Sequence, residues 1–323
     1  MKTFEHFNAN TIEEASMALE SENAEAIAGG TDLLGRLKND VLSSAMYPKT
    51  IINLKTISSL SYIKEETGIL KIGALTPLSA IAADTNVQSK YSALAQAAGK
   101  TASPHLREMG TIGGNICQYN RCWYFRNPDN RFDCIRKGGN MCFAMMGDNR
   151  YHSIFGAVQG CIAVNPSDTA PALIALNAII VTNKDAYEAE NFWDYAVPGS
   201  TILAANEIVK EIQIPTPASG TKSAFQKFAL RKTIDFPIVN CAVLISREDA
   251  RICLNAVHNN PYRATKAEDA IKGKAIDEAN AEAAGAAAVS GAIGMPGNGS
   301  NPGNKYKIQI AKTLVKRAIL ACK

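Results

Sequence analysis

Between Thr111 and Asp168 the chain begins TIGGNICQ, ends GCIAVNPSD and carries five of its eight cysteines. Four of them, Cys122, Cys134, Cys142 and Cys161, follow the spacing C-x11-C-x7-C-x18-C. The stretch from Asn120 to Val158 is rich in Arg, Asn, Asp, Gly and Met and holds neither a helical nor a strand period. An irregular segment of that length inside a compact domain needs something to order it. Four thiolates supply a candidate, since an iron–sulfur cluster asks only that four sulfurs reach the corners of a cube. Irregular backbone also places peptide N–H groups around the sulfurs, where they tune the potential. Structural zinc sites usually carry paired C-x2–4-C knuckles, which are absent, so a zinc-bearing binding module is the rival reading. Cys117 belongs to the TIGGN segment and is left outside the ligand set. His152 is an alternative ligand, although a lone histidine in such a loop is more often a hydrogen-bonding residue.

Composition matters here because it sets the redox context. The N-terminus, MKTFEHFNANTIEEA, has no apolar h-region, which makes the cytoplasm the expected compartment, with export alongside a partner left open. Thiols stay reduced there, and eight cysteines in a long chain then read as ligands or core residues rather than disulfides. No run of eighteen apolar residues is present, so no membrane span is expected. A net charge of +4 spread over 323 residues argues against nucleic acid as a partner. At that length, with 46% hydrophobic residues, two or three compact units with a real core are expected.

Thr11-Ile12-Glu13-Glu14 is a capping-box signature that opens a short helix. Ala24 to Ala28 reads as a strand running into Gly29-Gly30-Thr31-Asp32-Leu33-Leu34. Adjacent glycines let backbone turn tightly and approach a ligand, and Thr31 or Asp32 can cap a helix Leu33–Lys38 whose free amides suit a phosphate. An ordinary glycine turn is the plain alternative. The second pair, in Gly110-Thr111-Ile112-Gly113-Gly114-Asn115, puts amides, a hydroxyl and a carboxamide within five residues, which suits a pyrophosphate or the polar edge of a flavin; a hairpin or bulge is its alternative. Strands and short helices alternate from Thr50 to Lys100, indicating an α+β layer. After Ile162–Val164, an expected strand, Asp168 either accepts from a ligand donor or N-caps the helix Ala170–Leu176. Lys222–Leu230, Val239–Ser246 and Arg251–His258 read as a three-stranded antiparallel sheet, with Cys241 and Cys253 in its core. Helices Lys266–Ile271, Asp277–Val289 and Tyr306–Ala321 cover one face, and Gly291–Asn304 reads as a flexible connector.

AIAGGTDLL, GTIGGNICQ, NPSDTAPAL and EIVKEIQIP, in this order, resemble the FAD-binding subunit of the molybdenum hydroxylases, the xanthine dehydrogenase and carbon monoxide dehydrogenase family. The likeness covers essentially the whole chain. It implies an α+β fold: a two-part FAD-binding domain (PCMH/VAO-like) over residues 1–217, then a C-terminal three-stranded domain over 218–323. The first domain would have lobes at about 1–55 and 56–217, with an insert at about 119–161. The resemblance places Ile27, Ala28, Gly29, Gly30, Thr31, Asp32, Leu33 and Leu34 on the FAD pyrophosphate. It places Thr111, Gly113, Gly114 and Asn115 on the ribityl and phosphate region, and Asp168 and Lys227 beside the flavin. The cysteine insert is similar to those of the aldehyde oxidoreductase and 4-hydroxybenzoyl-CoA reductase types, which carry a [4Fe-4S] cluster. The reductase type takes its last ligand at a position where this chain has Tyr151, which leaves Cys161 as the fourth ligand and aligns the chain with the aldehyde oxidoreductase type. The implied partners are a molybdopterin large subunit, a [2Fe-2S] small subunit and an external electron acceptor. No nucleophile–base pair is found, so no catalytic residue is nominated; the alternatives are a subunit of a 4-hydroxybenzoyl-CoA reductase-like or xanthine dehydrogenase-like complex, and a self-contained flavin oxidase.

Overall fold

The computed structural model describes residues 1–194, 200–297, 299 and 301–323. Strand β1 (Glu5–Asn8) leads into helix α1 (Ile12–Ala18). Thr11 Oγ1 accepts from the Glu14 amide at 3.1 Å, while Glu14 Oε2 accepts from the Asn10 amide at 2.8 Å, one residue earlier than a capping box requires. Strand β2 (Ala24–Ile27), helix α2 (Leu33–Lys38) and strand β3 (Thr50–Asn53) complete a small lobe. Its sheet is parallel, in the order β1-β3-β2. Successive side chains point to opposite faces of a strand, so Ile52 joins the core of Ala9, Ala15 and Leu54 while Ile51 joins that of Leu33, Leu37 and Tyr47.

The second lobe contains β4 (Ile63–Glu66), β5 (Ile69–Gly73) and helices α3 (Leu78–Ala83), α4 (Thr85–Lys90), α5 (Ser92–Gly99), α6 (Pro104–Met109) and α7 (Ile112–Ile116). A one-turn helix α8 (Phe143–Met146) lies in the cysteine insert, and α9 (Thr169–Ala175) follows it. The strands β6 (Ile179–Thr182), β7 (Ala186–Glu188), the short pair β8 (Trp193–Asp194) and β9 (Ser200–Thr201), and β10 (Val209–Pro215) finish the lobe. A five-stranded antiparallel sheet runs β4-β5-β10-β6-β7. The core behind it is shared with α5 and the wholly buried α9, whose small and aliphatic side chains permit close packing on both sides.

Strands β11 (Lys222–Phe228), β12 (Val239–Ile245) and β13 (Ala250–Asn255) form the expected antiparallel sheet. A two-residue strand β14 (Tyr262–Arg263) extends its edge, too short to leave a sequence signal. Helices α10 (Thr265–Ile271), α11 (Glu278–Ala288) and α12 (Tyr306–Leu320) pack together, and Cys241 and Cys253 are buried in the core as expected. Asn298 and Ser300, within the connector Gly291–Asn304, lie outside the described residues. The described part of that stretch is pinned rather than loose: Met295 N donates to Asn304 Oδ1 at 2.6 Å, and Asn304 Nδ2 donates to the carbonyls of His152 and Ser153 at 3.1 and 2.9 Å.

The insert itself has only 3-10 turns at Pro128–Asn130 and Ile135–Lys137 besides α8. Ile162–Val164 does not form the expected strand. Its apolar character comes from burial beside the cysteines, and only isolated bridges Arg121–Val164 and Val158–Cys161 flank it. Among the described residues no helix is long and apolar enough to cross a membrane.

Candidate cofactor site

A cleft opens between the small lobe, the α6–α7 segment, the Asn165–Asp168 turn and Ile234–Phe236. Its floor is the end of β2 and the loop that follows. A Cβ on Gly29 would stand 2.0 Å from the Met109 carbonyl oxygen, so two backbones touch there and only glycine fits. Gly30 has φ +70°, the left-handed conformation that glycine tolerates. Among the described residues the amides of Gly29 to Leu33 have no backbone acceptor, which leaves a row of N–H donors on the cleft wall.

The second glycine pair is not a hairpin. It lies inside α7, where Thr111 Oγ1 caps the helix by accepting from Gly114 N at 3.1 Å. The Ile112 and Gly113 amides donate to Thr76 O and Ala74 O at 3.1 and 2.9 Å. Asn115 Oδ1 accepts from Ser167 Oγ and Thr169 Oγ1 at 2.6 and 2.7 Å. The polar groups read from the sequence as ligand contacts are therefore largely spent on building the wall. Thr111, Gly114 and Asn115 line the cleft, as do Ile27 to Leu33 and Asp168; Leu34, Gly113 and Lys227 are not part of its lining.

Asp32 occupies the N-cap position of α2 but makes no capping bond. Its carboxylate instead accepts from Arg126 Nη1 and Nη2 at 2.7 and 3.1 Å and from Arg121 Nη2 at 2.8 Å. Burial pushes this carboxyl up, yet Arg126, Arg121 and Arg36 outweigh it and hold the group below the usual carboxylate range. Burial also pushes Arg121 down, to about 10, with Arg126 beside it adding to the effect. Arg121 lies 3.9 Å from the centroid of the Phe236 ring, and Arg36 lies 4.1 Å from that of Tyr119. This cluster ties the first glycine loop to the start of the cysteine insert.

Asp168 is also an N-cap in position only; Ser167 Oγ takes the Ala170 amide at 3.0 Å. Asp168 Oδ2 accepts from Lys227 Nζ and Oδ1 from Asn240 Nδ2, both at 2.7 Å. Burial raises its carboxyl above the ordinary value despite the lysine. Asn255 Nδ2 donates to Ser167 O at 2.6 Å, so the paired residues Asn240 and Asn255 of β12 and β13 brace the turn.

Cys122, Cys134, Cys142 and Cys161 meet in one apolar cluster with Phe125, Ala144, Ile162 and Ala163. Cys117 lies on the cleft instead, and burial pushes its thiol up to about 12. The sulfurs have N–H donors around them. Ala163 N and Asn259 Nδ2 approach Cys161 Sγ at 3.4 and 3.6 Å, His152 Nε2 lies 3.2 Å from Cys122 Sγ, and the Phe125 and Tyr124 amides also donate to Cys122. Among the described residues no three His, Cys, Asp or Glu side chains are placed to hold a single metal ion. Arg121, Arg126, Asn240, Asn255 and Asn259 were missed from the sequence. Their partners lie in other elements, and no local pattern marks them.

A fold of this kind, with a glycine-walled cleft between two lobes, defines a cofactor-binding protein of the α+β class. Residues 2–217 match the FAD binding domain in molybdopterin dehydrogenase, and residues 223–322 match the CO dehydrogenase flavoprotein C-terminal domain. The chain is 31% identical over 281 residues to the aldehyde oxidoreductase FAD-binding subunit PaoB of Escherichia coli (strain K12), covering 83% of this chain and 86% of the relative. It is 28% identical to the carbon monoxide dehydrogenase medium chain of Hydrogenophaga pseudoflava, over 98% of this chain and 96% of that one. The solved carbon monoxide dehydrogenase structure from Hydrogenophaga pseudoflava superposes with a TM-score of 0.76 at 27% identity, covering 99% of this chain and 97% of that chain. The chain belongs to the FAD subunits of the molybdenum hydroxylases, oxidoreductases with FAD as cofactor.

Proposed function

We propose that the chain is an FAD- and [4Fe-4S]-binding electron-transfer subunit of an aldehyde oxidoreductase-type molybdenum hydroxylase. It would work beside a molybdopterin large subunit and a [2Fe-2S] small subunit, and would pass their electrons to an external acceptor. Its domains would divide at residues 1–217 and 218–323. The observation that carries this reading is the gathering of buried Cys122, Cys134 and Cys161 with half-buried Cys142 packed against them, joined to the cleft through Arg121 and Arg126 on Asp32. Four thiols with N–H donors at Cys122 and Cys161 match the donor set of an iron–sulfur cluster.

FAD held in the cleft would supply a centre able to take electrons singly and deliver them in pairs. The chain's own groups do the holding. The Gly29–Leu33 amides would hold the pyrophosphate and the α7 wall the ribityl chain, while Lys227 pairs with Asp168 behind the turn. Phe236 lines the cleft and also a neighbouring pocket, which Trp123 and Tyr151 share with Cys122 and His152. No side chain is assigned to substrate chemistry, which belongs to the large subunit.

The test is iron and flavin content of the purified chain. The wild type should bind FAD and iron and oxidise neither aldehyde nor purine by itself. Cys134→Ser and Cys142→Ser should lose iron and keep FAD. Unchanged iron in both variants, or about one zinc and no iron in the wild type, rules out the cluster assignment. Turnover by the isolated chain decides for a self-contained oxidase.

A further inference from the structure

Lys307, on the first turn of α12, is fully buried and pairs with no carboxylate among the described residues. Its Nζ donates to three carbonyls: His152 at 2.9 Å, Tyr151 at 3.3 Å and Ala256 at 2.6 Å. Two of these belong to the cysteine insert and one to the turn after β13. The other inward positions of the same helix are Ala311, Leu314, Val315, Ala318 and Ile319. An apolar side chain would therefore fill the site without the cost of burying an ammonium. Neighbouring bonds act on the same few residues. Asn304 Nδ2 donates to the His152 and Ser153 carbonyls, and Ile154 N and Ser153 Oγ both donate to Val257 O.

The other side of this anchored stretch is the His152 ring. Nε2 stands 3.2 Å from Cys122 Sγ, and Nδ1 has no hydrogen-bond partner among the described residues. With Cys122 as a cluster ligand its sulfur can only accept, which puts the ring proton on Nε2. With Nδ1 unpartnered, the ring's direction is set by its backbone, and that backbone is held by Lys307 and Asn304.

We infer that Lys307 is a positioning residue: its ammonium fixes the Tyr151–His152 carbonyls so that His152 Nε2–H donates to the Cys122 sulfur. Resting on the cluster assignment above, this makes the C-terminal domain the tuner of the cluster. Hydrogen bonds to cluster sulfurs raise the reduction potential, and losing one lowers it.

The experiment is an EPR-monitored redox titration of the cluster in the full chain with its partner subunits, alongside iron and FAD analysis. His152→Leu and Lys307→Met should keep iron and FAD and shift the cluster potential negative. His152→Gln, which keeps a donor, should shift it less. The double variant His152→Leu/Lys307→Met should shift it no further than His152→Leu alone. A wild-type potential in folded Lys307→Met overturns the inference, and so do additive shifts, which would make the ammonium an independent charge. If Lys307→Met does not fold, Asn304→Ala loosens the same carbonyl and is read by the same criterion. A wild-type chain with FAD and no iron removes the cluster assignment itself, an outcome distinct from iron-replete variants with unmoved potential.

Discussion

Gly29→Ala tests the geometry of the flavin cleft most directly. The added Cβ would meet the Met109 carbonyl oxygen at 2.0 Å and its carbon at 2.7 Å, both backbone atoms that cannot rotate away. Ordinary contact starts at 3.4 Å, so the first glycine loop and the end of α6 must separate by on the order of 1 Å. Overpacking of this kind costs about 1–3 kcal/mol. The separation also opens the wall that aligns the loop amides with the pyrophosphate. If about 3 kcal/mol of that appears in binding, FAD affinity falls roughly 100-fold. Gly35→Ala, in α2, meets nothing within 4 Å and serves as the control. Flavin fluorescence titration of the apo-chains gives the affinities, and far-UV circular dichroism confirms that the variants fold. A folded Gly29→Ala variant that binds FAD as tightly as the wild type would refute the claim that contact between these two backbones shapes the cleft.

Asp32→Asn should cost about 2 kcal/mol at neutral pH, the worth of charge-assisted bonds to Arg126 and Arg121. Because the folded carboxyl lies below its ordinary 3.8, this contribution is present above pH 3.8 and is lost as pH falls through the folded value. Urea melts at pH 7 and pH 3 should therefore show the gap between wild type and variant shrinking on acidification; a constant gap contradicts the pairing. Lys227→Met strands the buried Asp168 carboxylate and should lower stability by about 3 kcal/mol, with most of the loss recovered in Lys227→Met/Asp168→Asn, as read by thermal melts. Cys117→Ser should leave iron content at the wild-type level, unlike Cys134→Ser, because Cys117 sits outside the four-sulfur cluster.

What could be read from the sequence was local. Thr11 and Glu14 announce α1, and the alternation from Lys222 to Phe228 announces β11, because both signals lie within one turn or one pleat of the residue concerned. The double glycine of α7 misled because glycine is a poor helix former; the helix exists because Thr111 caps it and Gly113 packs against Ala74. Asp32 looked like a cap, and its true partners lie 89 and 94 residues away. Asn240 and Asn255 sit in strands whose pattern reports only burial, so their hold on the Asn165–Asp168 turn left no trace in the sequence. The cysteine spacing drew attention to four residues that lie in one apolar cluster, but not to Asn304 and Lys307, which hold the backbone at His152 beside Cys122.

That last arrangement ties the insert to a distant part of the chain. The groups that grip the 152–154 stretch are the Val257 carbonyl and the Asn304 and Lys307 side chains, 104 to 155 residues further on. Without Asn304 and α12, the backbone at residues 152–154 loses these bonds. Under the proposed cluster assignment, a variant truncated before Asn304 should retain less iron than the chain that includes α12, as metal analysis beside flavin analysis would read.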